Sequence, residues 1–196
     1  MMRRYVIVSN ISEPDVLQTK LPEEEPLTRV GLVLEEDEKK SMSMELPEGK
    51  YVLRSGNEEK ILDSKGSRKI SLSTEDRMVR AFDEKGEILA ESASYIELAP
   101  RETPSKPSPK QGILLKGVVA GRGFHWQKEV DLTFPYSLQF HHRHNYLIVV
   151  NVLPLEAYLS CVVTSEMSSE CPPEFIKAQA TSARSWMLVF LKNKHK

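Results

Sequence analysis

Cysteine is almost absent from this chain: Cys161 and Cys171 are its only two. Two thiols cannot build a disulfide framework, and alone they cannot complete a tetrahedral zinc site. They are read as free, partly buried thiols. Long apolar runs are missing as well. The run around LIVVNVLPL from Leu147 falls far short of the roughly 20 residues that a bilayer crossing needs, so no membrane span is expected. The opening MMRRYVIVSN has an apolar patch only from Tyr5 to Val8, against the about 7–15 residues of a secretory signal core, and no export signal is read there. Nor is there an excess of charge of one sign. Lys and Arg number 27, Asp and Glu 28, and the formal net charge is −1. Such a balance lacks the net basic face that holds a phosphate backbone, so nucleic acid is not an expected partner.

What is present fits an ordinary folded protein with a core of useful size: 196 residues, 40% hydrophobic and 28% charged. Residues 1–26, ending in the acidic LPEEEP, read as a leader or linker. From Leu27, strand-sized alternating runs follow one another: TRVGLVLEED, MELPEGKYVLRS, EEKILDSKGSRKISLS, MVRAFDEKGEILAES and ASYIELA. Turn residues separate them at 48–49, 55–57, 64–67 and 84–86. This predicts a small β-rich domain over 27–99. Residues 100–111, PRETPSKPSPKQ, form an extended proline-bearing connector. Strand signals resume at Ile113 and continue to Leu153, with turns at 120–123 and 134–137. The pattern then changes period. Leu155, Tyr158, Leu159 and Val162 recur at helical spacing after Pro154, and this helix is expected to fade near Thr164 to Glu166. SSECPP breaks it. Pro172–Pro173 and Glu174 open a second helix whose apolar face carries Ile176, Ala180, Ala183, Met187 and Phe190, running toward Asn193. The expected fold class is α+β: a β-rich N-terminal region, then a mostly antiparallel sheet with two consecutive C-terminal helices.

Three constellations bear on chemistry. His125, His141, His142 and His144 cluster in sequence, but strand alternation puts His142 and His144 on one side and His141 on the other. Two imidazoles without a neighbouring carboxylate or thiolate make a poor metal site, and none is expected. AGRGFHW flanks Arg122 with two glycines and His125 with two aromatics. Such a turn suits either a tight hairpin or the close approach of a sugar or phosphate, with structure the simpler reading. The segment VVTSEMSSECPPEFIKAQATSARSWML is the most informative. Glu166 falls at a helix end beside Val162, Val163 and Met167. The negative end of the helix dipole and an apolar setting both raise a carboxyl pKa, as a general acid requires. Helix-end glutamates are also common as mere surface groups, and Lys177, Thr181 and Arg184 form a polar stripe that faces either a substrate or water.

From Leu147 to Leu188 the chain resembles the stage II sporulation protein D, or amidase-enhancer, family. The resemblance rests on Asn151, Leu155–Glu156, Tyr158–Leu159, Val162, Ser165–Glu166–Met167, Pro172–Pro173, Lys177–Ala178–Gln179–Ala180 and Ala183–Arg184–Ser185. GRGFHW and RVGLVL are similar to earlier parts of that family's sequences. The resemblance implies a lytic transglycosylase that acts on peptidoglycan glycan strands, with a cell-wall amidase as a possible partner. It makes Glu166 the catalytic residue. Ser165, Lys177, Gln179 and Arg184 are implied as substrate-binding or charge-stabilising residues; for Glu156 the simpler reading, a structural cap or ion pair, stands. A non-catalytic module that binds glycan or enhances an amidase is the alternative, as is an inactive fragment. Serines 168 and 169 stand where many members have a proline directly after the Ser-Glu-Met motif. The family domain continues beyond the point matching Lys196, so residues 112–196 are expected to be the N-terminal part of a catalytic domain. No cofactor is expected within them, because the positions that some members associate with zinc would lie further on. The substrate implies the cell envelope or exterior.

Overall fold

A computed structural model describes residues 23–102, 112–168 and 170–194 of the chain. Most of the leader and most of the proline-bearing connector fall outside them. The chain divides into two compact units: Leu27–Leu153, and Pro154–Lys196 with the segment preceding Leu27.

Among the described residues, the first unit has twelve strands in two antiparallel six-stranded sheets. One sheet contains β1 (Leu27–Val33), β3 (Gly49–Ser55), β4 (Glu58–Ser64), β8 (Tyr95–Pro100), β11 (Ser137–Arg143) and β12 (Tyr146–Pro154), in the order β1-β12-β11-β8-β3-β4. The other contains β2 (Ser41–Leu46), β5 (Arg68–Glu75), β6 (Met78–Phe82), β7 (Ile88–Ser92), β9 (Ile113–Ala120) and β10 (Lys128–Phe134), in the order β10-β9-β2-β5-β6-β7. Alternation aims one side of each strand inward. In β12, Leu147, Val149, Asn151 and Leu153 are buried in turn. In β2 the inward residues are Met42, Met44 and Leu46. Both sheets contribute to a single core, where Phe140, Leu98, Leu138, Ile113 and Leu115 are fully enclosed.

The expected α+β class holds, and the predicted turns at 48–49, 55–57, 64–67 and 84–86 all separate strands. The boundary drawn at 100–111 is not where the fold divides. Strands from either side of it alternate within both sheets: β11 pairs with β8 (Phe140 opposite Ile96), and β9 pairs with β2 (Leu115 opposite Met44). Residues 27–99 therefore do not close a core of their own; the division comes at Pro154. The buried Asn151, one of the residues on which the family resemblance rests, has a structural bond here. Its Nδ2 donates to the Ser137 carbonyl at 2.9 Å, fastening β12 to β11.

Candidate functional site

The described residues of the second unit contain two helices, α1 (Leu155–Glu166) and α2 (Pro173–Lys194). Pro154 supplies an extended residue just before α1 and cannot continue a strand ladder. The first helical amides then need acceptors. The Leu155 N–H reaches the Pro26 carbonyl at 3.0 Å, and the Glu156 N–H donates to the Glu25 carboxylate at 2.8 Å. An acidic side chain there also meets the positive end of the helix dipole. Leu155, Leu159 and Val163 form the buried stripe of α1. Leu155 and Leu159 pack with Met187 of α2, flanked by Tyr158, Ala183, Leu188 and Leu191. At the C-terminal end the Met167 N–H closes on the Val163 carbonyl (3.0 Å), and Met167 itself turns extended.

Glu166 is the last residue of α1. Its Oε2 accepts a hydrogen bond of 2.6 Å from the Gln179 amide on α2, which couples the ends of the two helices. Tyr158 lies about two turns earlier on α1. Its phenol is half-buried, and burial, followed by the negative charge of Glu166, pushes its pKa upward. It therefore stays protonated through the neutral range as a possible donor. The apolar surroundings expected for Glu166 are not there: the residue is exposed. A helix that ends at Glu166 and turns away at Met167 leaves that carboxyl on its open rim.

The other expected site residues go elsewhere. Arg184 grips Glu156, with Nε and one terminal nitrogen each 2.6 Å from a different carboxylate oxygen. The Arg184 hydrogen bond, and its charge, hold the Glu156 carboxyl below the usual carboxylate range against the opposing effect of burial. Glu156 is thus an ion-pair partner, as one of its two expected roles had it, while Arg184 does not reach Glu166. Lys177 pairs with Glu174 at 2.7 Å, and Ser165 donates back to the Val162 carbonyl at 2.9 Å. Of the five residues, the fold brings together Glu166 and Gln179. By its spacing to Leu155, Tyr158 reads in the sequence as one more apolar helix position, and nothing in the spacing signals that it feels the charge of Glu166. Cys161 and Cys171 are free thiols, exposed and half-buried respectively.

The histidines separate more than strand alternation implies. His144 and Asn145 adopt positive φ (47° and 69°) in the two-residue turn between β11 and β12, the backbone of a type I′ hairpin. His144 is therefore off the strand and contacts Glu35 at 2.7 Å. His142 Nε2 accepts from the Asn145 N–H. His141 is half-buried against Tyr95, with ring centroids 5.2 Å apart, and its pKa is lowered by burial and then by Arg29. Among the described residues no group of three His, Cys, Asp or Glu side chains is arranged to hold a metal ion, and no helix is long and apolar enough to cross a membrane.

Residues 143–196 match the family model described as stage II sporulation protein, SpoIID. The match opens at the end of β11 and takes in β12 and both helices. No curated protein and no solved structure matches the chain. The similarity is to a sporulation-related cell-wall family, and it covers residues 143–196, just over a quarter of the chain.

Proposed function

We propose that the chain is a peptidoglycan lytic transglycosylase in which Glu166 is the single acid and base. The observation that carries this reading is the Ser165–Glu166–Met167 motif within the matched segment, whose carboxylate is held by Gln179 across two helices. In its protonated form Glu166 donates to the glycosidic oxygen between N-acetylmuramic acid and N-acetylglucosamine as the C–O bond breaks. The resulting carboxylate then removes the proton of the muramyl 6-hydroxyl, whose oxygen closes on the anomeric carbon to form the 1,6-anhydro ring. No second carboxylate is needed, because the nucleophile belongs to the same sugar and no water has to be activated. Hydrolases, by contrast, use a pair. Gln179 donates to the ionised form and fixes one oxygen, leaving the other toward solvent and substrate. Tyr158, still protonated, serves as a neutral neighbour. Lys177, Ser165 and Arg184 contribute polar contacts to the glycan from the surrounding helix faces.

The exposure of Glu166 favours a second reading, a non-catalytic module that binds glycan or enhances an amidase, since an open carboxyl gains nothing from desolvation. One experiment separates the two. The full chain is incubated with glycan strands stripped of stem peptides, and the products are read by mass spectrometry for 1,6-anhydro-muramyl ends. Glu166→Gln is expected to reduce their formation by about 10²–10⁴-fold, the usual contribution of a positioned acid–base group. Unchanged turnover removes Glu166 from the chemistry. Strand binding without anhydro products from the parent protein selects the second reading.

A further inference from the structure

The turn between β9 and β10 is braced far more heavily than a connector requires. Two tight turns follow one another in it, closed by the Phe124 N–H on the Gly121 carbonyl (2.9 Å) and the Gln127 N–H on the Phe124 carbonyl (3.0 Å). Gln127 Oε1 accepts from the Gly123 N–H at 2.9 Å. Arg122 ties the turn to the short 3-10 turn at Glu35–Asp37, donating to both carboxylate oxygens of Asp37 at 2.7 and 2.6 Å. Its terminal nitrogen also reaches the Leu32 carbonyl. The Asp37 side chain is 2% exposed. Gly121, at φ +67°, lies so close beneath Trp126 that a Cβ there would come within 2.2 Å of the indole. Apart from the packing of Gly121 against Trp126, the groups that fix the turn are polar and engaged within it. What it offers to solvent is apolar: Phe124 and Trp126 are 42% and 51% exposed. Their rings are stacked, with centroids 5.4 Å apart and planes within 18°. Holding two large rings rigidly in water forgoes their burial and marks a contact surface.

We infer that Phe124 and Trp126 form a carbohydrate platform that takes the apolar face of an N-acetylhexosamine ring in a glycan strand. The choice of strand rests on the cell-wall reading above, whereas the site itself uses no residue of the Glu166 centre. A pyranose ring presents a row of axial C–H bonds on one face, which the electron-rich face of an aromatic ring attracts. Its equatorial hydroxyls and acetamido group point outward, where Gln127, Lys128 and Glu129 are exposed. Single-stranded nucleic acid, the other ligand that stacks on exposed rings, requires cations along its phosphates. The arginine of this turn is instead engaged by Asp37 and Glu36. The platform also lies outside the segment matched to the family, so it supplies polymer affinity from the β-rich unit independently of the matched helices.

The test uses the full chain carrying Trp186→Phe, which leaves Trp126 as the sole tryptophan. Titration with peptide-free glycan strands is expected to shift Trp126 emission to shorter wavelength and to saturate. Phe124→Ala and Trp126→Ala each weaken binding in a co-sedimentation assay about tenfold, the equivalent of about 1.4 kcal/mol. Phe124→Tyr and Trp126→Phe, which keep a ring, retain it. Phe124→Ala guards against misfolding, because its side chain is no part of the Arg122 or Gly121 brace, and its unfolding midpoint should match the parent's. Equal affinity of Phe124→Ala and the parent overturns the platform while leaving Glu166 chemistry standing. Loss of binding in Phe124→Ala, with anhydro products still formed by Glu166→Gln, overturns the chemistry and supports the platform. An emission change produced equally well by single-stranded DNA overturns the assignment to sugar.

Discussion

Among the described residues, ten of the twelve strands between Leu27 and Leu153 place a buried apolar side chain in one common core. The helices after Pro154 share a much smaller cluster centred on Leu155, Leu159 and Met187, while Phe175 and Trp186 stay exposed. The β-rich unit thus has ample burial to stabilise itself. The helical unit relies on one short seam, and α1, with 12 residues, is near the length at which an isolated helix is marginal. The proposed chemistry sits on the less strongly held of the two. That arrangement is common where a site must open and close around a polymer.

The contrast can be broken by core truncation. Phe140→Ala is expected to destabilise the β-rich unit by about 3–5 kcal/mol, and Leu159→Ala to destabilise the helices by about 2–3 kcal/mol. Chemical denaturation followed by circular dichroism should show Leu159→Ala losing helical signal first, with the sheet signal keeping its midpoint. Coincident loss of both would make the two units one cooperative body and end the distinction.

Acid titration sharpens it further. The folded pKa of His141 lies below its ordinary value near 6.5, so between those two pH values the unfolded chain binds more protons than the folded one. The stability of the β-rich unit should therefore fall as pH drops below about 6.5, the ordinary histidine value. His141→Phe keeps the ring against Tyr95 and should flatten that slope; an unaltered slope would assign the effect to other groups. The helical unit responds at lower pH and more weakly. Glu156, depressed by Arg184, stabilises the folded helices above the ordinary glutamate pKa, and that contribution disappears as acid protonates it. Both side chains are more than a third exposed, so Arg184→Gln should cost no more than about 1 kcal/mol. A larger loss, measured by thermal unfolding of the helical signal, would make this pair the principal clasp of the unit.

Much of the fold could be read directly. Glycine-bearing turns such as Ser55–Gly56–Asn57 and Lys65–Gly66 announced themselves, and the switch from alternation to helical spacing at Pro154 located α1 and α2 to within a residue or two. Turns built from ordinary residues did not. Asp76–Arg77 and His144–Asn145 both take positive φ without a glycine, a conformation that the surrounding ladders impose. Strand partners were equally hidden. Nothing local in Met44 or Leu115 says that they will sit opposite each other, and a proline-bearing stretch looks like a boundary even when strands from either side of it pair in both sheets. At the site, the motif led to Glu166 and its neighbour Gln179. It could not say that Arg184 would prefer Glu156, because that choice depends on how α1 and α2 are rotated against each other.

The interleaved order of the sheets has a bearing on how this protein is made. β1 waits for β12, β2 for β9 and β8 for β11, so during synthesis on the ribosome these three strands emerge without neighbours that complete their ladders. Pairings so distant in sequence are slow to form and leave bare strand edges in the meantime. Nascent chains halted before residue 150 should accordingly need chaperone protection, and shortening the gene from its 3′ end would compromise the sheets as well as the helices.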